Sequence, residues 1–155
     1  MKSNDINQEL SNAVITNDIS KIKKCISLGA NVNIKDVLGN GLLRFSPTIE
    51  TVKILVQNGI DIYTLDRDGA NGLYGADIEV LKFLVENKRL SIHIKDKKGQ
   101  TPLHVAKNLD TVIYLIKNGL DVNQKDIHDR TILINAMNRK QKSIVDYLLK
   151  NKSRL

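Results

Sequence analysis

The chain is 155 residues long, carries a formal charge of +7, and contains one Cys and no Trp. That length suits one domain; a lone thiol excludes an internal disulfide, and no apolar run reaches the ~20 residues of a membrane span. Aromatic residues are 4% of the total, which favours regular helix-on-helix packing over a large aromatic-lined cavity. The first ten residues, MKSNDINQEL, hold no apolar stretch for a signal peptide. A cytoplasmic, reducing location is expected, with secretion by a route that reads no N-terminal signal left open. The basic balance fits either a solvated surface or an acidic partner.

The first element in chain order is an apolar run at 10–15, followed by Asp18. Four, seven and eight positions after Asp18 come Ile22, Cys25 and Ile26, and Gly29 follows at eleven. Those offsets define one face of a helix that Asp18 caps and Gly29 ends in the left-handed conformation. An extended, turn-rich segment is expected next, opening with GANVN at 29–33.

The same order then returns. A run at 42–45 precedes Thr48, with Val52, Leu55, Val56 and Gly59 at the matching offsets. A run at 73–76 precedes Asp77, with Leu81, Leu84 and Val85, but Lys88 in the glycine slot. A run at 103–106 precedes Asn108, with Val112, Leu115, Ile116 and Gly119. The last run, 132–137, precedes a weaker cap, Gln141, with Val145, Leu148, Leu149 and Lys152. Asp36, Asp66, Asp96 and Asp126 recur every 30 residues, as do Leu43, Leu73, Leu103 and Leu133. Gly39, Gly69 and Gly99 keep that period, and Asp129 takes the next place.

A fixed period of this size means stacked supersecondary units. The expected fold is an all-α repeat solenoid, with two helices and a hairpin-like finger per unit. It forms one domain over 1–155, with units near 7–33, 34–63, 64–93, 94–123 and 124–155. The run TPLHVA at 101–106, the D-x-x-G of 96–99 and GLDVN at 119–123 resemble the ankyrin repeat, and in register the resemblance covers 7–152. It points to a small free-standing ankyrin repeat protein of the bacterial or viral kind.

The departures from the usual ~33-residue repeat are informative. Leu10 to Gly29 and Leu133 to Lys152 both span 19 positions, whereas Leu43 to Gly59 and Leu103 to Gly119 span 16 and Leu73 to Lys88 spans 15. The loss falls between the two helices, so the middle units should lack about one helical turn. Gly72 and Gly75 fall inside the third unit's first helix, at about 1 kcal/mol each relative to Ala. The tip at 87–93 is one residue longer than its counterparts. The middle of the stack is therefore expected to be the least protected part.

No catalytic constellation, metal site or cofactor motif emerges. Counted from Asp66 as a calcium loop, position five is Ala70 and position six is Asn71, where an oxygen ligand and glycine are needed. The glycine-rich 69–75 lacks the Gly-Lys-Ser/Thr ending of a P-loop and reads as a loosened first helix or a flexible recognition segment. Cys25 aligns with Leu55 and Leu115, which makes it a core position. His93 holds a turn slot and His128 lies on a finger. Basic charge concentrates at Lys95, Lys97 and Lys98, and again at Arg139, Lys140, Lys142, Lys150, Lys152 and Arg154 against Asp146. The second group reads as a polar capping helix, or as a dock for an acidic surface. Nucleic acid would usually call for stacking aromatics or a recognition helix, and the few aromatics here are thinly spread, so a nucleic-acid partner is not expected.

The ankyrin resemblance implies a non-enzymatic protein-binding module, acting through a concave face of finger tips and first helices. It also gives His104 an internal hydrogen-bonding role at the helix start. Arg44 and Tyr74 occupy the His104 slot of their units, facing a partner or serving as degenerate core positions. By the resemblance, the exposed finger slots flank each repeated Asp and follow each Gly. They are Lys35, Val37, Leu38 and Asn40; Leu65, Arg67, Asp68 and Ala70; Lys95, Lys97, Lys98 and Gln100; and Lys125, Ile127, His128 and Arg130. Val37, Leu38 and Leu65 would anchor, and the lysines would steer, an acidic protein partner. One alternative is a dedicated inhibitor or immunity protein that blocks a cognate toxin or enzyme. Another is an effector or host-range factor that recruits a host complex. A chain ending at Leu155, just past the last helix, favours the former. The free protein is expected to be a monomer without membrane association.

Overall fold

The computed structural model describes residues 3–88 and 90–151. Arg89 in the lengthened third tip, and Lys152 and Arg154 of the C-terminal basic group, lie outside the described residues. The helices are α1 (Ser3–Ile15), α2 (Ile19–Ser27), α3 (Ile49–Gln57), α4 (Ile78–Lys82), α5 (Leu109–Lys117), α6 (Ile132–Asn138) and α7 (Lys142–Lys150). No helix among the described residues is long and apolar enough to cross a membrane.

The second helix of each unit forms where the apolar offsets put it. In the first four units the positions four and seven after the cap are buried: Ile22 and Cys25, Val52 and Leu55, Leu81 and Leu84, Val112 and Leu115. Each fully buried Leu, Ile or Val contributes roughly 1.5–3 kcal/mol. Asp18, Thr48 and Asn108 accept the amides of Lys21, Thr51 and Thr111 at 2.9, 3.3 and 2.9 Å. Asp77 and Gln141 do not cap in this way. The Asp77 carboxylate instead accepts from Asn108 Nδ2 at 3.5 Å. Gln141 Nε2 donates to the carbonyls of Ala106 and Lys107 at 3.2 and 3.0 Å, tying the fifth unit to the fourth.

Gly29, Gly59 and Gly119 close their helices at φ +88°, +81° and +93°. After each, an amide reaches five residues back, from Ala30 to Cys25, Ile60 to Leu55 and Leu120 to Leu115. The third unit differs. Its helix α4 widens into a π turn over Phe83–Asn87, and the Leu90 amide reaches six residues back to Leu84 at 3.1 Å. The extra residue of this unit is absorbed there as a widened turn.

The shortening of the middle units falls on their first helices. α1 and α6 are true helices, linked to α2 and α7 through left-handed Asn17 and Lys140 (φ 55° and 58°). The second and fourth units keep only 3-10 turns, Leu42–Phe45 and Pro102–Val105, and the third keeps bare turns at 72–75. Gly72 has a packing reason as well as a helix-breaking effect. A Cβ there would lie 3.0 Å from Leu43 Cβ, so the second and third units meet through it.

Candidate functional site

Each finger is built on its repeated aspartate. Asp36, Asp66, Asp96 and Asp126 accept, through one carboxylate oxygen, the amides two and four residues on, at 2.8–3.0 Å. Each Asp amide also donates to the carbonyl four residues on. The aspartate therefore folds the tip itself. The left-handed position three residues later is Gly39, Gly69 or Gly99, and Asp129 adopts it at φ 57°.

Successive fingers are joined main chain to main chain. The Arg67 amide donates to Leu38 O at 3.0 Å, Lys97 to Asp68 O at 2.7 Å, and Ile127 to Lys98 O at 2.9 Å. Those bonds fix the spacing of the tips without engaging the side chains. Lys35, Val37, Leu38, Leu65, Arg67, Asp68, Lys95, Lys97, Lys98, Lys125, Ile127 and His128 are all exposed, and Val37 is 80% accessible. Lys98 lies 3.8 Å from Asp68, and Lys125 lies 3.3 Å from Asp129. Such exposed pairs are worth little and hold the lysine side chains only weakly.

The slot after each glycine is not a tip position, which corrects the expectation for Asn40, Ala70, Gln100 and Arg130. Ala70 and Gln100 are buried, and Asn40 and Arg130 are half-buried. Their amides point back at the aspartate, which turns the side chains under the finger. Asn40 Nδ2 donates to Asp36 at 2.8 Å. Gln100 Nε2 crosses to Asp126 in the next finger at 3.1 Å. Arg130 holds the same carboxylate oxygen through Nε and Nη2, at 3.0 and 2.9 Å. Burial would raise the Asp126 pKa, but the hydrogen bonds from Arg130, His128 and Gln100 outweigh it and hold the group well below the carboxylate range. In Asp36 the Asn40 side chain is the main cause of a lowered pKa.

Under the fingers, His104 accepts the Thr101 amide at Nδ1 (3.1 Å), while Nε2 lies 2.9 Å from Gln124 O. Tyr74 does the same work by other chemistry. It is buried, and its hydroxyl donates to Gln100 O at 2.7 Å, with Ile94 O at 3.4 Å. Ile94 is the equivalent of Gln124 one unit earlier. Arg44 stays exposed, and its guanidinium donates to the Tyr74 carbonyl. The slot is thus a brace between units, filled by three different side chains. Beside it, where the third unit lacks its first helix, a cleft opens that is lined by Arg44, Phe45, Tyr74, Gly75, Asp77 and Lys107.

Tyr63 was missed by the sequence reading. It is exposed beside Leu65, with Ile62 and Thr64 turned inward. The same alternation puts Asn33 with Lys35 and His93 with Lys95 on the outer side. A period-two reading of the segment would have revealed it.

A family model described as ankyrin repeats (3 copies) matches residues 44–126 and 72–155. The chain is 35% identical over 109 residues to alpha-latrotoxin-Lg1a of Latrodectus geometricus, covering 64% of this chain and 8% of the toxin. It is 29% identical over 147 residues to the ankyrin repeat protein FPV022 of Fowlpox virus (strain NVSL), covering 72% of this chain and 25% of that protein. Against FPV230 of the same virus it is 28% identical over 138 residues, covering 83% of this chain and 73% of the relative. The chain thus spans only 8% and 25% of the first two relatives. Family match, repeat register and helix-pair geometry agree: this chain belongs to the ankyrin repeat family.

Proposed function

We propose that the chain is a non-enzymatic binding module that holds an acidic protein against its finger row and occludes the surface it covers. Ankyrin repeats are generally protein–protein interaction modules. The observation that supports this finer reading is the composition of the tips. Val37, Leu38, Leu65 and Ile127 stand exposed in one row with Lys35, Lys95, Lys97, Lys98 and Lys125. Apolar tips on a rigid row favour a desolvated anchor, and the lysines favour an acidic rim.

The test is kinetic, on a partner captured with the intact chain. Reversing charge at Lys95, Lys97 and Lys98 together is expected to slow association about tenfold and flatten its salt dependence. Val37→Ser with Leu38→Ser is expected to speed dissociation about tenfold. Cys25→Ser, at a buried core position, should leave both rates unchanged once stability is matched. Normal rates in both finger variants would reject the proposal.

A further inference from the structure

The extended segments behind the finger tips present a regular outer face. Every second residue is exposed: Asn33, Lys35 and Val37, then Tyr63, Leu65 and Arg67, then His93, Lys95 and Lys97. The repeat aligns Asn33, Tyr63 and His93 in one slot, with Asn123 next. Asn33 uses that slot to tie the first unit to the second. Its Nδ2 donates to Gly59 O at 3.0 Å and its Oδ1 accepts the Asp61 amide at 2.7 Å. The Tyr63 side chain makes no such tie among the described residues and stands 62% exposed. A bracing position is thus given over to a large aromatic ring in water.

Tyr63 is also held rigidly. One carboxylate oxygen of Asp61 accepts the Tyr63 amide at 2.9 Å, and the other accepts Thr64 Oγ1 at 3.1 Å. Those bonds fix the turn from which the ring projects. The fingers on either side are joined to this one by the bonds from Arg67 to Leu38 O and from Lys97 to Asp68 O. The exposure of Tyr63 and Leu65 therefore belongs to the inside of the stack and not to an end. Phe45, at 37%, is the other exposed aromatic residue. Tyrosine gives up little conformational freedom on contact, which is why it recurs as an anchor where leucine and valine do not.

We propose that Tyr63 and Leu65 anchor a docking surface on the flank of the fingers, and that it takes an aliphatic side chain set among carboxylates on a protein partner. This rests on the protein-binding reading and moves its anchor from the tips to an inner finger. The charge around the pair points to that occupant. Lys35 and Lys95 hold the Leu65 slot in the fingers on either side, Arg67 follows two residues on, and Lys97 holds the Arg67 slot of the next finger. All four are exposed, and none takes part in an ion pair among the described residues. Of the acidic neighbours, Asp61 is engaged in its own turn and Asp68 lies at the tip beside Lys98. An apolar centre in a basic ring favours an apolar residue with an acidic rim. A second copy fits poorly, because it would bring the same cations face to face.

The probe is a labelled peptide with a pair of leucines between runs of glutamate. One control replaces the leucines by serine, and another replaces every glutamate by lysine. Titrated by fluorescence anisotropy against the full chain, the probe should bind saturably and each control at least about tenfold more weakly. Tyr63→Asn installs the residue that the slot holds in the first and fourth units, so it should weaken probe binding about tenfold without lowering the thermal midpoint. Tyr63→Ser, at the same exposed position, should weaken it equally. Tyr63→Phe should bind within about twofold of the parent, because the ring and not the hydroxyl makes the contact. No saturation by ~1 mM peptide, equal binding of probe and controls, or indifference to both polar variants would overturn the proposal. Loss of probe binding in Val37→Ser with Leu38→Ser, with Tyr63→Asn indifferent, would overturn it and leave the finger-tip reading standing. Loss in Tyr63→Asn, with normal partner rates in both finger variants, would do the reverse. Concentration-dependent self-association that Tyr63→Asn abolishes would also overturn it, since the occupant would then be a second copy.

Discussion

His104 Nδ1 takes the Thr101 amide proton, so that nitrogen carries none of its own and Nε2–H donates to Gln124 O. The ring is held neutral. Burial lowers its pKa below the ordinary 6.5, and the Gln124 carbonyl and the Asp126 charge offset this only in part. Below about pH 6.5 the unfolded chain binds a proton that the folded chain refuses. This contribution to stability is whole above that pH and shrinks as the pH falls. Urea midpoints should therefore drop between about pH 7.5 and about pH 5.5. His104→Ala should flatten that slope while costing about 1–3 kcal/mol for the groups it leaves unpaired. An unchanged slope would reject the neutral-ring account. Tyr74→Phe asks the same question of the neighbouring brace and should cost about 1 kcal/mol by equilibrium unfolding.

At the scale of the element, the third unit is where regular structure thins. Its first helix is reduced to turns, its second widens into a π turn, and Gly75 sits at φ +76° with Lys107 Cε 3.2 Å from where a Cβ would be. Amide exchange should be fastest across 69–75, and Gly75→Ala should cost about 1–2 kcal/mol in thermal or urea unfolding. Equal protection in all units would contradict this. The sequence made the outer helices legible because Val52, Leu55 and Gly59 stand at offsets that only a capped helix explains. It showed the extra residue near Lys88, but not that the chain would take it up as a π turn, since helical hydrogen-bond register is invisible to spacing. The resemblance put Gln100 at a tip, because a motif position does not say which way its side chain turns. The sequence left Tyr74 open because a phenol reaching a carbonyl matches no histidine pattern.

For the whole molecule, each unit is stabilised by its neighbours, so damage at an inner position should spread along the stack. Leu103→Ala, at a fully buried position between units, should cost about 2–5 kcal/mol in chemical denaturation. Far-UV circular dichroism should be predominantly helical, and small-angle scattering should show an elongated particle. A compact sphere with a strong sheet signal would be incompatible with stacked helix pairs.

The finger-to-finger bonds run from the amides of Arg67, Lys97 and Ile127 to the carbonyls of Leu38, Asp68 and Lys98. Every amino acid except proline at the donor position supplies the same group. The spacing of the row is therefore written in the peptide unit and leaves the side chains of the same residues free to vary. On the proposed function, mutation could rewrite what the tips recognise while the row keeps its spacing, so such a chain could exchange one target for another without passing through an unfolded ancestor.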